Sequence, residues 1–134
     1  MLPEEFDLAG KVVLITGAGR GIGSGIAEVL ADAGANVALN ALTSTFADAT
    51  AHAIRERVER QRGDRAAPAP AENVAPPRSA SAMPAIEVFT GDVTQTAPAE
   101  GVVQRVLERF GRIDVLVNNL GDAIMKPLVA LPDT

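Results

Sequence analysis

Eight residues, Thr16-Gly17-Ala18-Gly19-Arg20-Gly21-Ile22-Gly23, constrain this chain more than any other stretch. Two kinds of periodicity meet at them. Just before, Lys11-Val12-Val13-Leu14-Ile15-Thr16 carries a short, continuous apolar run. Continuous rather than alternating hydrophobicity suits a strand buried on both faces of a parallel sheet. Just after, Ile22, Ile26, Val29, Leu30 and Ala33 recur at helical spacing. They predict one apolar stripe, and Gly34 is placed to end the helix. Glycines between such a strand and such a helix allow a tight turn and a close approach of backbone to an anion. Free N–H groups and a helix dipole equivalent to roughly +0.5 charge favour that anion. A side chain at Gly21 or Gly23 would fill space needed by a phosphate or by helix–strand packing.

The same alternation continues along the chain. Asn36–Asn40 reads as a second strand, and a helix from about Ala47 to Gln61 has a weaker apolar face of Ala49, Ala53, Ile54 and Val58. From Gly63 to Pro84 the sequence turns to Ala, Pro, Ser and Arg, with Pro68, Pro70, Pro76, Pro77 and Pro84. Such a segment has few large apolar anchors and several missing N–H donors, so a dispensable surface loop is expected at about 63–84. Ala85–Phe89 is a third strand. A helix over roughly Ala97–Phe110 places Val102, Val103, Val106, Leu107 and Phe110 on one side and closes at Gly111. Ile113–Asn118 is a fourth strand.

Strands alternating with helices imply right-handed crossovers and a parallel sheet with helices on both faces. The expected strand order is 3-2-1-4, about four strands of a Rossmann-type, doubly wound α/β fold. Ligands in such sheets bind beyond the carboxyl ends of the strands, where strand order reverses. That point lies between strands one and four, and the glycine cluster and Asn118-Asn119 both fall there.

Composition excludes several function classes. The net charge is −5, and the cluster between Arg55 and Arg65 is interleaved with Glu56, Glu59 and Asp64. That is the pattern of a solvated helix face, and it argues against nucleic acid as a partner. With no cysteine and His52 as the only histidine, thiolate and histidine-rich metal sites are excluded, and no metal is expected. His52 itself reads as a helix-surface residue. No apolar run reaches the ~20 residues of a bilayer span, and the first residues lack a basic segment followed by an apolar one. A cytoplasmic protein with no membrane partner is expected.

Asp7-Leu8-Ala9-Gly10-Lys11-Val12 leading into Thr-Gly-x-x-x-Gly-Ile-Gly resembles the opening of short-chain dehydrogenase/reductases. Two further matches follow in order. Asp92-Val93 resembles the pair that holds the adenine ring, a carboxylate accepting from the amino group beside a backbone contact. Asn118-Asn119-Leu120-Gly121 resembles the family's Asn-Asn-Ala-Gly, which lines the cofactor and braces the sheet. The resemblance implies a dinucleotide held by Gly17, Gly19, Arg20, Gly21, Ile22, Gly23, Asn40, Thr43, Asp92, Val93, Asn118, Asn119 and Gly121. NAD-specific members carry an acid at the end of strand two to bind the ribose 2′-OH. Here that stretch is Asn40-Ala41-Leu42-Thr43-Ser44-Thr45, with no acid. Arg20 resembles the basic residue that NADP-dependent members aim at the 2′-phosphate, and Thr43 and Ser44 could donate further bonds. NADP is therefore favoured, with NAD as the alternative.

The departures bear on activity. Leu120 replaces the usual Ala and adds bulk beside the cofactor, and the 63–84 insertion is longer than the family carries. Family members use a Tyr as general acid/base, a Lys four residues later and a Ser that orients the carbonyl. These 134 residues contain no tyrosine, and their lysines are Lys11 and Lys126. Residues 1–134 are thus expected to be a partial NAD(P)-binding domain, truncated after strand four, with no catalytic residues. The complete form would move a hydride between NADP(H) and a small carbonyl or secondary alcohol. Alone, the chain is expected to be inactive and to self-associate unless a missing C-terminal half covers it. The alternative is a non-catalytic dinucleotide-binding module or degenerate relative. A glycine loop for S-adenosylmethionine in a methyltransferase is argued against by the Asp92-Val93 and Asn118-Asn119 pairs.

Overall fold

The computed structural model describes residues 6–65 and 83–121. In chain order these form β1 (Val12–Ile15), α1 (Gly21–Asp32), β2 (Asn36–Ala41), α2 (Ser44–Arg65), β3 (Ile86–Thr90), α3 (Thr96–Phe110) and β4 (Val115–Val117). The four strands make one sheet in the order β3-β2-β1-β4. Every pairing is parallel, with Val13 opposite Val37 on one side and Val115 on the other. The expected order 3-2-1-4 is the observed one. All four residues of β1 are buried, because alternate side chains enter different cores. Val13 and Ile15 join Val37, Leu39 and Ile86 beneath α1 and α2. Val12 and Leu14 join Ala38 and Phe89 beneath Val102 and Val106 of α3. Covering both faces is what allows a parallel strand to be apolar throughout.

Which face each helix buries differs from the periodicity reading. In α1 the inward row is Gly23, Ala27 and Ala31, whereas Ile22 and Val29 are 78% and 57% exposed. Ile26 and Leu30 pack against the core from the flank. Relative to the expected stripe, the helix is turned by one residue, about 100°. The cause is the close contact at Gly23, where an added Cβ would lie 2.5 Å from Asn119 Nδ2 and 2.8 Å from the Gly17 carbonyl oxygen. Only a row of small residues lets a helix lie so near the strand ends.

In α2 the buried residues are Ala47, Ala51 and Ile54, with Val58 partly packed, while Ala49 and Ala53 face outward. Alanine carries too little transfer energy to choose a face, and Ile54 and Val58 choose it. In α3, Val103 and Leu107 are half-exposed beside the buried Val102 and Val106. Helix α2 runs on through Gly63 to Arg65, so the first residues of the expected loop are helical. The rest of the 63–84 insertion, apart from Met83 and Pro84, lies outside the described residues. Gly34 and Gly111 end α1 and α3 with φ of 93° and 76°, the left-handed backbone that glycine adopts without a Cβ clash.

Candidate functional site

The switch in strand order places the glycine turn and the end of β4 side by side, beyond the carboxyl ends of β1 and β4. Thr16 joins them. Its backbone N–H donates to the Val117 carbonyl at 3.1 Å, and its hydroxyl donates to the same oxygen at 3.4 Å. That hydroxyl also accepts from the N–H groups of Asn119 and Leu120, each at 3.1 Å. One donor and two acceptor positions are all a hydroxyl has, so Thr16 spends its full capacity on fixing β4 to β1. Asn119 returns the bond: its side-chain amide donates to the Thr16 and Gly17 carbonyls at 3.1 Å each. The turn is thereby pinned from the β4 side.

A second set of contacts pins it from β2 and α2. The Thr50 hydroxyl donates to the Gly19 carbonyl at 2.8 Å. The Ala18 N–H donates to the Asn40 carbonyl at 2.8 Å. The guanidinium of Arg20 lies over the Phe46 ring, 5.3 Å from its centroid. Gly17 and Gly21 take φ of 64° and 63°, which disfavours any side chain there. The two positions differ in surroundings. A Cβ at Gly17 would sit 3.1 Å from Leu120 Cα, while one at Gly21 would meet nothing within 4 Å. Gly21 is required by its backbone conformation and Gly23 by crowding.

These features suit an anion. Helix α1 starts with Arg20 as N-cap, no side chain caps its first N–H groups, and no acid stands in its first turn. The macrodipole and those donors therefore face the open space beside Gly21 unopposed. Those donors and the free space at Gly21 could hold an anionic group such as a pyrophosphate.

The other expected residues fall into two groups. Asp92, just beyond β3, is held in a tight turn: its Oδ1 accepts from the Thr94 N–H at 3.0 Å and the Thr94 hydroxyl at 2.5 Å. The hydroxyl first and the N–H second hold the Asp92 carboxyl below its ordinary range. Val93 packs partly against the core under α3. Asn118, Gly121, Thr43 and Arg20 are exposed at this end of the sheet. Asn40 is different. Its side chain is 1% exposed and donates to the Phe89 and Gly91 carbonyls at 3.0 and 3.1 Å. The structure commits that amide to tying β2 to the end of β3, leaving the backbone near the turn. Thr50 and Phe46 escaped the sequence reading as site-forming residues, and Thr16 entered it only as the first residue of the glycine motif. Thr50 lies thirty-one residues from Gly19, and no local pattern marks such a pair.

Among the described residues no group of three or more His, Asp or Glu could hold a metal ion, and no helix is long and apolar enough to cross a membrane.

Comparison with known proteins agrees with this geometry. The family model described as short chain dehydrogenase matches residues 11–74 and 63–134, two segments that overlap within the Ala/Pro-rich stretch. An uncharacterised oxidoreductase of Methylorubrum extorquens is 38% identical over 115 residues, 85% of this chain and 36% of that protein. Hydroxynaphthalene reductase of Aspergillus fumigatus is 39% identical over 121 residues, 90% of this chain and 36% of that protein. The chain thus spans about a third of the length of the curated relatives it matches. Among solved structures, a short-chain type dehydrogenase/reductase from Mycobacterium marinum superposes with a TM-score of 0.70 at 29% identity, covering 95% of this chain and 41% of that one. A blue fluorescent protein from a metagenomic library, solved in complex with NADPH, gives 0.65 at 25% identity, covering 94% and 42%.

Proposed function

From the premise that this chain belongs to the short-chain dehydrogenase/reductase family, we propose that it is the dinucleotide-holding part of an NADP(H)-dependent oxidoreductase. The observation that carries this reading is the uncapped, acid-free start of α1 opening on the clear space at Gly21. The pyrophosphate lies there, against the backbone donors. Arg20 takes the 2′-phosphate together with Thr43 and Ser44 just beyond β2, and no acid stands at Ala41 or Leu42 to repel it. Asp92 accepts from the adenine amino group through a carboxylate that its turn keeps ionised, and the Val93 backbone lies alongside. Asn118, Asn119 and Gly121 line the remainder at the end of β4. The NADPH complex of the metagenomic neighbour supports a nicotinamide dinucleotide as the ligand.

The bound nicotinamide supplies a hydride to, or takes one from, a small carbonyl or secondary alcohol in the complete protein. The residues described above bind and orient the dinucleotide, and the 1–134 segment acts as a partial NAD(P)-binding domain. With no tyrosine in these residues, the family's proton donor is lacking, so turnover by this segment alone is not expected. The rival reading, a non-catalytic dinucleotide-binding module, rests on that same lack. Both readings require binding, so titration calorimetry with NADPH and NADH tests them first. NADPH should bind more tightly, and Arg20→Ala should weaken NADPH by about 1–3 kcal/mol, the range for a charge-assisted hydrogen bond, with NADH little changed. Equal affinities indifferent to that substitution would remove the NADP assignment. An assay of NADPH oxidation against ketones and aldehydes then checks for the absence of turnover.

A further inference from the structure

We infer that Phe46 is a specificity-determining residue: its ring holds the Arg20 guanidinium in place for the 2′-phosphate and so sets the preference for NADPH. The inference rests on the NADP reading above and adds a residue that the glycine-loop motif does not contain.

Arg20 differs in its partner from three other arginines. Arg57, Arg109 and Arg112 each pair with a carboxylate, whereas among the described residues no carboxylate pairs with Arg20. Its partner is the face of Phe46, 5.3 Å from guanidinium to centroid. Phe46 is 56% exposed in the first turn of α2, so its ring contributes little to either core. A planar cation on an aromatic face keeps its N–H donors, which point outward in the guanidinium plane, available for an anion. A carboxylate partner would have consumed those donors and repelled a phosphate.

The ring is also fixed relative to the loop. Ala47 and Thr50, one and four residues further along α2, touch the same turn. A Cβ on Gly19 would lie 3.5 Å from the Ala47 backbone nitrogen, and the Thr50 hydroxyl bonds the Gly19 carbonyl. One helical face thus carries the anchor for Gly19 and the platform for Arg20. Restricting a long, exposed arginine before binding lowers the ordering cost when the phosphate arrives.

NADPH and NADH differ only in the 2′-phosphate, which gives the test its discrimination. Dissociation constants for both would be measured on the 134-residue chain and on Phe46→Leu, Phe46→Tyr, Arg20→Ala and the Arg20→Ala/Phe46→Leu pair, with a melting curve for each. Phe46→Leu should lower the NADPH-over-NADH preference by about two- to five-fold, the weight of an exposed cation–π contact, through NADPH alone. Phe46→Tyr should retain the preference, and Phe46→Leu should add nothing once Arg20 is gone. Equal weakening of both dinucleotides by Phe46→Leu would mean that the ring touches a part they share, and would overturn the inference. So would an unchanged preference in Phe46→Leu, while a loss in Arg20→Ala would leave the NADP reading standing. No effect of Arg20→Ala would sink that reading and this inference together. Should Phe46→Leu lower the melting temperature, Phe46→Tyr and the paired substitution still decide.

Discussion

Strands β1 and β4 lie side by side in one sheet, and their sequences, Val-Val-Leu-Ile and Val-Leu-Val, are nearly interchangeable in character. Their environments are opposite. β1 is 0–2% exposed throughout, whereas Val115 is 39% and Leu116 54% exposed. β1 has a strand on each side and a helix layer on each face. Among the described residues β4 has β1 alone, and its side chains lack a complete cover. An apolar strand is therefore a request for burial, and the rest of the fold decides whether it is met. The comparison also locates the site: the glycine turn springs from the most buried strand and is closed by the least covered one, through Thr16 and Asn119.

The largest expected effect separates the strands directly. Ile15→Ala should cost about 2–5 kcal/mol through lost contacts and a residual cavity, whereas Leu116→Ala should stay within about 1 kcal/mol. Urea denaturation of the two variants checks this, and similar losses would mean that β4 is covered in solution. Next is the joint between them. Thr16→Val keeps the shape but leaves the Asn119 and Leu120 N–H groups without their acceptor, at a cost of about 1–3 kcal/mol. Hydrogen exchange should accelerate at those two amides and stay slow at Leu14 and Val37. Uniform acceleration would show that the joint holds the whole sheet rather than β4.

Among the described residues no strand pairs with the far edge of β4, and an edge left unpaired is a template for association. Leu116→Lys should shift the sedimentation distribution of the 134-residue chain toward monomer while changing stability by no more than about 0.5 kcal/mol. An unchanged distribution would place any self-association elsewhere.

The smallest effect concerns acid. Asp114, at the entrance to β4, accepts from the Val12 N–H at 2.8 Å and pairs with Arg112. Arg112 first and the Val12 N–H second hold its carboxyl below the ordinary value, as Thr94 does for Asp92. A carboxyl depressed in the folded state adds stability above its unfolded pKa, near 3.9, and loses it as pH falls through the folded value. The melting temperature should therefore decline as pH drops below about 5, and more gently in Asp114→Asn. Identical declines would exclude Asp114 as a contributor.

The sequence by itself determined what depends on neighbours along the chain. Continuous apolarity marked β1, helical spacing marked α1 and α3, and glycines marked their ends, because φ and side-chain period are local properties. Alternation of those elements marked a doubly wound parallel sheet, and the expected order 3-2-1-4 is the one the structure has. The glycine turn was legible for the same reason. What only the tertiary structure decided involves residues far apart in sequence. The crowding of Gly23 against Asn119 turned α1 onto its alanines and put Ile22 and Val29 outside. The bonds of Asn40 to Phe89 and Gly91 withdrew its amide into the sheet. Phe46 and Thr50 came to the phosphate loop only because α2 packs beside it. Periodicity says that a helix has an apolar side, but close packing of whole elements fixes its rotation and chooses which polar groups meet.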